Sequence, residues 1–146
     1  MKGKVGKQLG MAGWVMVLMI FLGGGLLADV SGQQKSVKKL APLAFHEALS
    51  QHPNALIIDT RPDYKFEDYR LKDAVLAVSQ EELLKVVKDQ PKDRPLFVYC
   101  EIGDRSKRAV KVLAEQGFTT VFELKGGLAV WMEEGLEVDT MSLKEY

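Results

Sequence analysis

From residue 40 onward, two patterns of hydrophobic and polar residues alternate along the chain. Short unbroken apolar runs are typical of strands covered on both faces, and they span residues 55–58, 75–78 and 95–99; residues 120–124, mostly apolar, are predicted as a fourth strand. Segments with apolar residues three and four positions apart are typical of helices with one buried face, and they span residues 42–49, 81–88, 106–116 and 128–134. Strands that alternate with helices predict an α/β fold, a three-layer α/β/α arrangement with a mainly parallel central sheet.

The beginning of the chain carries an apolar stretch of a different kind. Residues 9–28 contain no charged side chain, and as a helix these residues would extend about 30 Å, which matches the core of a bilayer. We therefore predict an N-terminal apolar helix that contacts the membrane through residues 9–28. It acts either as a retained signal anchor or as a cleaved signal peptide, for which Gly23-Gly24-Gly25 offers a small-residue cleavage site.

The distribution of lysines predicts the side of the membrane. Lys2, Lys4 and Lys7 precede the apolar stretch, and a slight excess of positive charge on that side favours a domain on the outer side. The expected location is thus outside the cytoplasm: anchored in the membrane with the domain on the periplasmic side, or free in the periplasm if the signal is cleaved.

Three segments follow from these patterns: residues 1–28 as the signal segment, residues 29–39 as a polar linker, and residues 40–146 as one globular domain. The 20 basic and 20 acidic residues balance, so the chain lacks the basic field that nucleic-acid binding requires. A hydrophobic content of 47% is too high for a disordered chain. We therefore expect no nucleic-acid partner.

The chain has one cysteine, Cys100, at the end of the third predicted strand. A single cysteine forms no disulfide within the chain and no multi-cysteine metal cage, so it is a packed core residue, an intermolecular link or a reactive thiol. Ligands of open parallel sheets bind at the carboxyl ends of the strands. A thiol between a strand and a helix N-terminus is also favoured in its nucleophilic, ionised form.

The residues after Cys100 have an unusual composition for a simple turn. Gly103 lets the backbone turn so that successive amides point at an anion, and Asp104 and Ser106 are placed to cap the following helix. Arg105 stands near the positive end of that helix, where a cation is unfavourable unless an anion lies beside it. The loop therefore predicts a site for a reactive thiol and an anion.

Three segments resemble the motifs of rhodanese-type sulfurtransferases. The loop Cys100-Glu101-Ile102-Gly103-Asp104-Arg105-Ser106 is similar to the family's Cys-x-x-Gly-x-Arg-Ser active-site loop. Asp59-Thr60-Arg61 resembles the Asp-x-Arg motif of its first strand, and Gly126-Gly127 with Trp131 resembles its closing signature. The resemblance covers about residues 40–138 and implies a single rhodanese-like domain.

The resemblance also implies a chemistry. Cys100 would take a sulfane sulfur from thiosulfate or from another persulfide or polysulfide donor. The resulting persulfide would pass its sulfur to a thiol or cyanide-like acceptor, and a protein acceptor is a further candidate partner.

The resemblance assigns roles to the other residues as well. Arg105 would assist catalysis by holding donor charge, and the substrate would lie against the loop residues Glu101, Ile102, Gly103, Asp104 and Ser106. Structural support would come from Asp59, Arg61, Gly126, Gly127 and Trp131.

Other functions remain open at this point. A non-catalytic rhodanese-like module could present a protein or a sulfur species to a membrane or exported partner, and a thiol redox protein would need a thiol from another molecule. A related phosphatase is disfavoured, because four residues separate Cys100 from Arg105 where those enzymes have five. His46 and His52 have no ligand cluster around them, so we expect no metal and no other cofactor.

The sequence departs from the family pattern in two places. The family usually shows Gly-His-Ile-x-Gly-Ala where this chain has residues 69–74 without a His or a Gly. In the active-site loop, Glu101 and Asp104 place two carboxylates against one arginine. Because like charges repel a dianionic donor, we expect thiosulfate to be a poor substrate.

Overall fold

The computed structural model describes residues 36–140, in which a five-stranded parallel sheet is flanked by helices. The strands are β1 (Ser36–Leu40), β2 (Leu56–Asp59), β3 (Tyr69–Arg70), β4 (Val75–Leu76), β5 (Leu96–Tyr99), β6 (Thr120–Leu124) and β7 (Asp139–Thr140). The helices are α1 (Pro42–Gln51), α2 (Asp63–Asp68), α3 (Gln80–Val87), α4 (Asp104–Glu115) and α5 (Gly127–Glu133). The parallel sheet has the order β1-β6-β5-β2-β4, and β3 pairs with β7 in a separate antiparallel ribbon.

Alternate residues of the central strands pack against opposite helical layers. On one face, Ile58, Val98 and Val121 pack with apolar residues of α3 and α4. On the other face, Phe97 and Phe122 pack with residues of α1 and α5. Because successive side chains of a strand point to opposite faces, an unbroken apolar run is needed to fill both layers. The predicted α/β/α architecture with a mainly parallel sheet is confirmed.

The predicted linker is wrong for its last four residues, because residues 36–39 belong to strand β1. This strand pairs in parallel with β6, with Ser36 opposite Thr120 and Leu40 opposite Leu124. It is an edge strand whose three central residues are exposed, so it lacks the apolar run that predicts a buried strand. The remainder of the predicted linker, residues 29–35, lies outside the described residues.

Smaller differences concern the segment between β2 and α3. The predicted strand 75–78 ends at Leu76, and neither α2 nor the ribbon of β3 and β7 was predicted. Asp73, where the family pattern has a glycine, takes a φ of 61°. Aspartate enters this left-handed region more readily than most residues, so the turn forms without the glycine.

The predicted membrane segment, residues 9–28, also lies outside the described residues. Between Ser36 and Thr140, no helix combines the length and the apolar character needed to cross a bilayer.

Candidate active site

Cys100 follows β5 at the carboxyl edge of the sheet, and its side chain is 2% exposed. The backbone N–H of Gly103 donates a hydrogen bond to the Cys100 Sγ at 3.0 Å. Gly103 takes a φ of 102° and occupies the N-cap position of α4, a conformation that glycine adopts without a steric penalty. This turn folds the loop back so that the sulfur lies at the positive end of a 12-residue helix.

Ser106 lies on the first turn of α4 and contacts the sulfur. The Cys100 thiol donates to the Ser106 Oγ at 3.5 Å, and this oxygen is also 3.1 Å from the Gly103 carbonyl oxygen. The prediction that side chains of the loop cap α4 is wrong, because the cap residue is Gly103 and no side chain caps this helix. The Ser106 hydroxyl is directed at the sulfur and its surroundings instead.

Sequence reasoning missed Glu123, a buried carboxylate on β6. Its Oε1 lies 3.3 Å from the Ser106 Oγ and 3.1 Å from the Lys39 Nζ. The one signal in the sequence was an acidic residue inside an apolar strand, a position at which a carboxylate needs a partner. That partner, Lys39, lay in the segment interpreted as a linker.

Arg105 is exposed, and its guanidinium extends over the carboxyl end of β2. Its Nη1 donates to the Thr60 carbonyl oxygen at 3.3 Å. Arg105 also lines a cleft of about 280 Å³ together with Arg108 and Ser79. Two guanidinium groups on one wall make this cleft a favourable place for an anion.

The two acidic residues of the loop differ in their surroundings. Asp104 is exposed at the start of α4. The Glu101 carboxylate lies 3.4 Å from the Arg61 Nη1 and 3.2 Å from the Lys65 Nζ, and it accepts a hydrogen bond from the Tyr69 hydroxyl at 3.3 Å. The expectation that counted Glu101 and Asp104 against a single arginine is therefore wrong, because two further cations compensate Glu101.

Asp59 and Arg61 form a fully buried ion pair below the loop. The Arg61 Nε and Nη2 donate to the Asp59 carboxylate at 3.0 and 2.8 Å, and Arg61 Nη2 also donates to the Tyr69 carbonyl oxygen. Burial by itself lowers the pKa of Arg61, but the hydrogen bond and the charge of Asp59 outweigh it and raise this pKa. Through its contact with Glu101, the pair joins β2 to the loop.

Burial and the nearby Glu101 carboxylate also raise the pKa of Tyr69. The Tyr69 hydroxyl therefore stays protonated near neutral pH and donates its hydrogen bond to Glu101.

Gly126 and Gly127 hold the other side of the loop. The backbone N–H groups of Leu128 and Ala129 donate to the Cys100 and Glu101 carbonyl oxygens at 2.8 and 3.0 Å. A Cβ on Gly127 would lie 2.3 Å from the Glu101 carbonyl oxygen, so only a glycine fits this approach. The start of α5 thus fixes the backbone that carries the sulfur.

The side chains of two other predicted site residues, Ile102 and Trp131, make no hydrogen bond to the sulfur among the residues that the structure describes. Ile102 is 63% exposed and presents an apolar side chain at the surface of the loop. Trp131 is buried against Phe45 with its ring edge-on, and its Nε1 donates to the Glu137 carbonyl oxygen at 3.0 Å. Trp131 therefore packs in the core layer under α5.

The part of the chain from residue 36 to residue 140 holds no group of three His, Cys, Asp or Glu side chains that could bind a metal. His46 and His52 lie against aromatic rings, with ring centroids 5.7 Å from Trp131 and 5.5 Å from Phe122, respectively.

Several known proteins are similar to this chain in sequence or in fold. A curated relative, the tRNA uridine(34) hydroxylase of Acinetobacter baumannii (strain AYE), is 29% identical over 100 residues, which cover 65% of this chain and 32% of the relative. The chain thus matches about a third of that protein's length.

Two solved structures share the fold. The crystal structure of the Alr3790 protein from Anabaena sp. is 27% identical with a TM-score of 0.63, over 70% of this chain and 81% of that chain. The thiosulfate sulfurtransferase of Pseudomonas aeruginosa is 21% identical with a TM-score of 0.63, over 73% of this chain and 21% of that chain. A family model described as Rhodanese-like domain matches residues 43–134. With this match over more than half of its length and the Cys100 loop inside it, the chain belongs to the rhodanese-like domain family.

Proposed function

We propose that this protein is a sulfurtransferase that carries sulfane sulfur as a persulfide on Cys100. The observation that carries the proposal is the hydrogen bond from the Gly103 amide to the Cys100 sulfur at the start of α4. A backbone donor and the positive end of a helix both stabilise a thiolate, which is the form that attacks sulfur.

In the first step, the Cys100 thiolate attacks the sulfane sulfur of the donor. A new sulfur–sulfur bond forms to Cys100, and the bond between the sulfane sulfur and the rest of the donor breaks. With thiosulfate, the leaving group is sulfite, which departs with the bonding electron pair. In the second step, a thiolate or cyanide attacks the outer sulfur and releases the Cys100 thiolate, so no external oxidant or reductant is consumed.

The charges around the loop decide which donors suit the site. Arg105 is exposed beside the cleft, where it is available to hold the anionic part of a donor. Arg61 and Lys65 compensate Glu101, so Arg105 has only the Asp104 carboxylate of the loop to oppose it. Thiosulfate therefore belongs among the proposed donors, beside the less charged persulfides and polysulfides.

Sulfur loading tests the proposal directly. The purified chain is incubated with thiosulfate, or with a polysulfide, and its intact mass is measured before and after treatment with cyanide. We expect one added sulfur that cyanide removes, and no addition to the Cys100→Ser variant, because Cys100 is the only cysteine. If every donor leaves the wild-type mass unchanged, the catalytic proposal fails and a binding module becomes the better interpretation.

We also propose that the protein works outside the cytoplasm, on the basis of the uncharged residues 9–28 and the lysines before them. Alkaline extraction of membranes separates the two forms of this proposal. A retained anchor stays in the membrane pellet at full mass, and a cleaved signal gives a shorter chain in the periplasmic fraction. Full-length chain in the cytoplasmic fraction would overturn the proposal.

A further inference from the structure

A partly buried ion pair between Lys39 and Glu123 is linked to the sulfur of Cys100 through Ser106. Glu123 is 5% exposed, and its Oε1 accepts from the Lys39 Nζ at 3.1 Å and lies 3.3 Å from the Ser106 Oγ. Ser106 in turn lies 3.5 Å from the Cys100 Sγ. The four side chains form one continuous chain of contacts from the thiol to Lys39, whose side chain is 45% exposed.

The Ser106 hydroxyl has one proton to share among these partners. When it donates to the Glu123 carboxylate or to the Gly103 carbonyl, its lone pairs face the sulfur and accept the S–H of a protonated thiol. A thiolate has no proton to donate and needs Ser106 to turn its proton toward the sulfur. Ionisation of Cys100 therefore competes with the hydrogen bond between Ser106 and Glu123.

We propose that the Lys39–Glu123 ion pair controls the reactivity of the Cys100 thiol through Ser106. Glu123 favours the protonated thiol, because it attracts the Ser106 proton and its negative charge opposes a second negative charge nearby. Lys39 weakens both effects by neutralising the carboxylate. Glu123 and Lys39 are positioning residues in this account, which rests on the proposed function only in taking Cys100 as the nucleophile.

The separation between the two negative groups is short enough for this control. The distance between the Cys100 sulfur and the Glu123 Oε1 is at most the sum of the two contacts through the Ser106 Oγ, which measure 3.5 and 3.3 Å. Both groups are buried, so solvent screens their interaction less than it would at the surface. Lys39 is partly exposed, so its influence on the thiol is smaller and sensitive to salt.

Other charged groups around the site stay constant when this pair is changed. Near the sulfur, Glu101 is paired with Arg61 and Lys65, while Arg105 donates to the Thr60 carbonyl. The groove that Glu123 lines also contains the charged side chains Asp104, Lys107, Arg108 and Lys111. Because these groups are common to the wild type and to every variant at positions 39 and 123, differences in thiol reactivity report on the pair.

Lys39 lies outside residues 43–134, the part of the chain that the family model matches. It faces Glu123 because the parallel register of β1 on β6 places the two residues opposite each other. The proposed control of the thiol therefore depends on a residue of β1, a strand that precedes the part of the chain matched by the family model.

The rate of Cys100 alkylation by iodoacetamide, measured against pH without any sulfur donor, tests this proposal. Glu123→Gln is expected to raise the alkylation rate about tenfold on the acid side of the profile, because it removes a buried negative charge near the sulfur. The plateau rate at high pH should not change. Lys39→Met is expected to lower the rate on the acid side, and Lys39→Arg should restore the wild-type profile.

A matched control separates this effect from the loss of any lysine. Lys111 lines the same groove but pairs with Glu115, so Lys111→Met should leave the profile unchanged. In the Ser106→Ala background, Glu123→Gln should increase the alkylation rate less, because the hydroxyl that links Glu123 to the sulfur is absent. If Glu123→Gln does not fold, the alkylation profiles of Lys39→Met and Lys39→Arg, at a partly exposed position, are sufficient to test the proposal.

An unchanged alkylation profile in Lys39→Met, or a faster rate on its acid side, would overturn the inference. The measurement is independent of sulfur transfer: altered alkylation profiles in a protein that no donor loads would leave the inference intact and defeat the proposed function. Sulfur loading with identical alkylation profiles in all variants would do the reverse.

Discussion

Gly127→Ala should destabilise the domain far more than an alanine at a positive-φ glycine that has open space around it, such as Gly135. Gly127 has a φ of 67°, and an added Cβ would lie 2.3 Å from the Glu101 carbonyl oxygen and 2.6 Å from that of Cys100. Both atoms belong to backbone, so no side-chain rotation relieves the overlap. The active-site loop would have to move away from the start of α5.

The cost can be estimated from the contacts involved. An L-residue other than glycine loses about 1 to 2 kcal/mol in the left-handed conformation. Separation of the loop from α5 also removes the hydrogen bonds from the Leu128 and Ala129 amides, each worth about 1 kcal/mol net. We therefore expect a loss of about 3 to 4 kcal/mol, a large part of the roughly 5 to 15 kcal/mol that stabilises an ordinary domain.

Gly135→Ala is the matched control. Gly135 has a φ of 73°, close to that of Gly127, but nothing lies within 4 Å of its added Cβ. It should lose only the conformational part, about 1 to 2 kcal/mol. Urea denaturation followed by circular dichroism gives the free energy of unfolding of both variants. Equal losses in the two would refute the argument that α5 holds the loop by close backbone approach.

Three further predictions follow from other parts of the structure. Arg61→Met should lower the free energy of unfolding by about 3 to 5 kcal/mol because it leaves Asp59 buried without its partner, and urea denaturation measures this loss. Ser79→Ala should cost about 1 kcal/mol because it removes the acceptor that caps α3, whereas Ser50→Ala, at an exposed serine of α1, should cost about 0.5 kcal/mol or less in the same assay. Burial and the charge of Asp59 raise the pKa of Tyr99. The stability that Tyr99 contributes is therefore complete below about pH 10 and falls as the pH rises further, by up to about 1.4 kcal/mol per pH unit. In urea titrations above about pH 10, the free energy of unfolding of Tyr99→Phe should fall less steeply with pH than that of the wild type.

Each of these has an outcome that contradicts it. An Arg61→Met variant as stable as the wild type would mean that water reaches the Asp59 carboxylate. Equal losses in the two serine variants would remove the capping argument. A Tyr99→Phe variant with the same alkaline fall as the wild type would assign that fall to other groups.

The central layers could be predicted from sequence because they are buried on both sides. Strands β2 and β5 coincide with unbroken apolar runs, β6 with a mostly apolar run that contains Glu123, and α1, α3, α4 and α5 with apolar positions at helical spacing. The edge strand β1 could not be predicted in the same way. Strand β1 pairs with β6 along one edge and exposes its central side chains. Backbone pairing, rather than an apolar run, therefore keeps this strand in the sheet.

The candidate site also contains residues that could be predicted from the sequence and residues that could not. Cys100, Gly103 and Arg105 could be predicted because local spacing in one loop carries their arrangement. The partners of Glu101 and the position of Glu123 depend on contacts between residues far apart in the sequence, from 17 positions for Ser106 and Glu123 to 84 for Lys39 and Glu123. Such contacts follow from the packing of elements, which a single sequence does not display.

The direction of β1 has a practical consequence for engineering. Parallel strands share one polarity, so Ser36 enters the sheet at the rim opposite the one that Cys100 occupies. A tag or partner domain joined directly to Ser36 would therefore be attached at the edge of the sheet opposite the thiol.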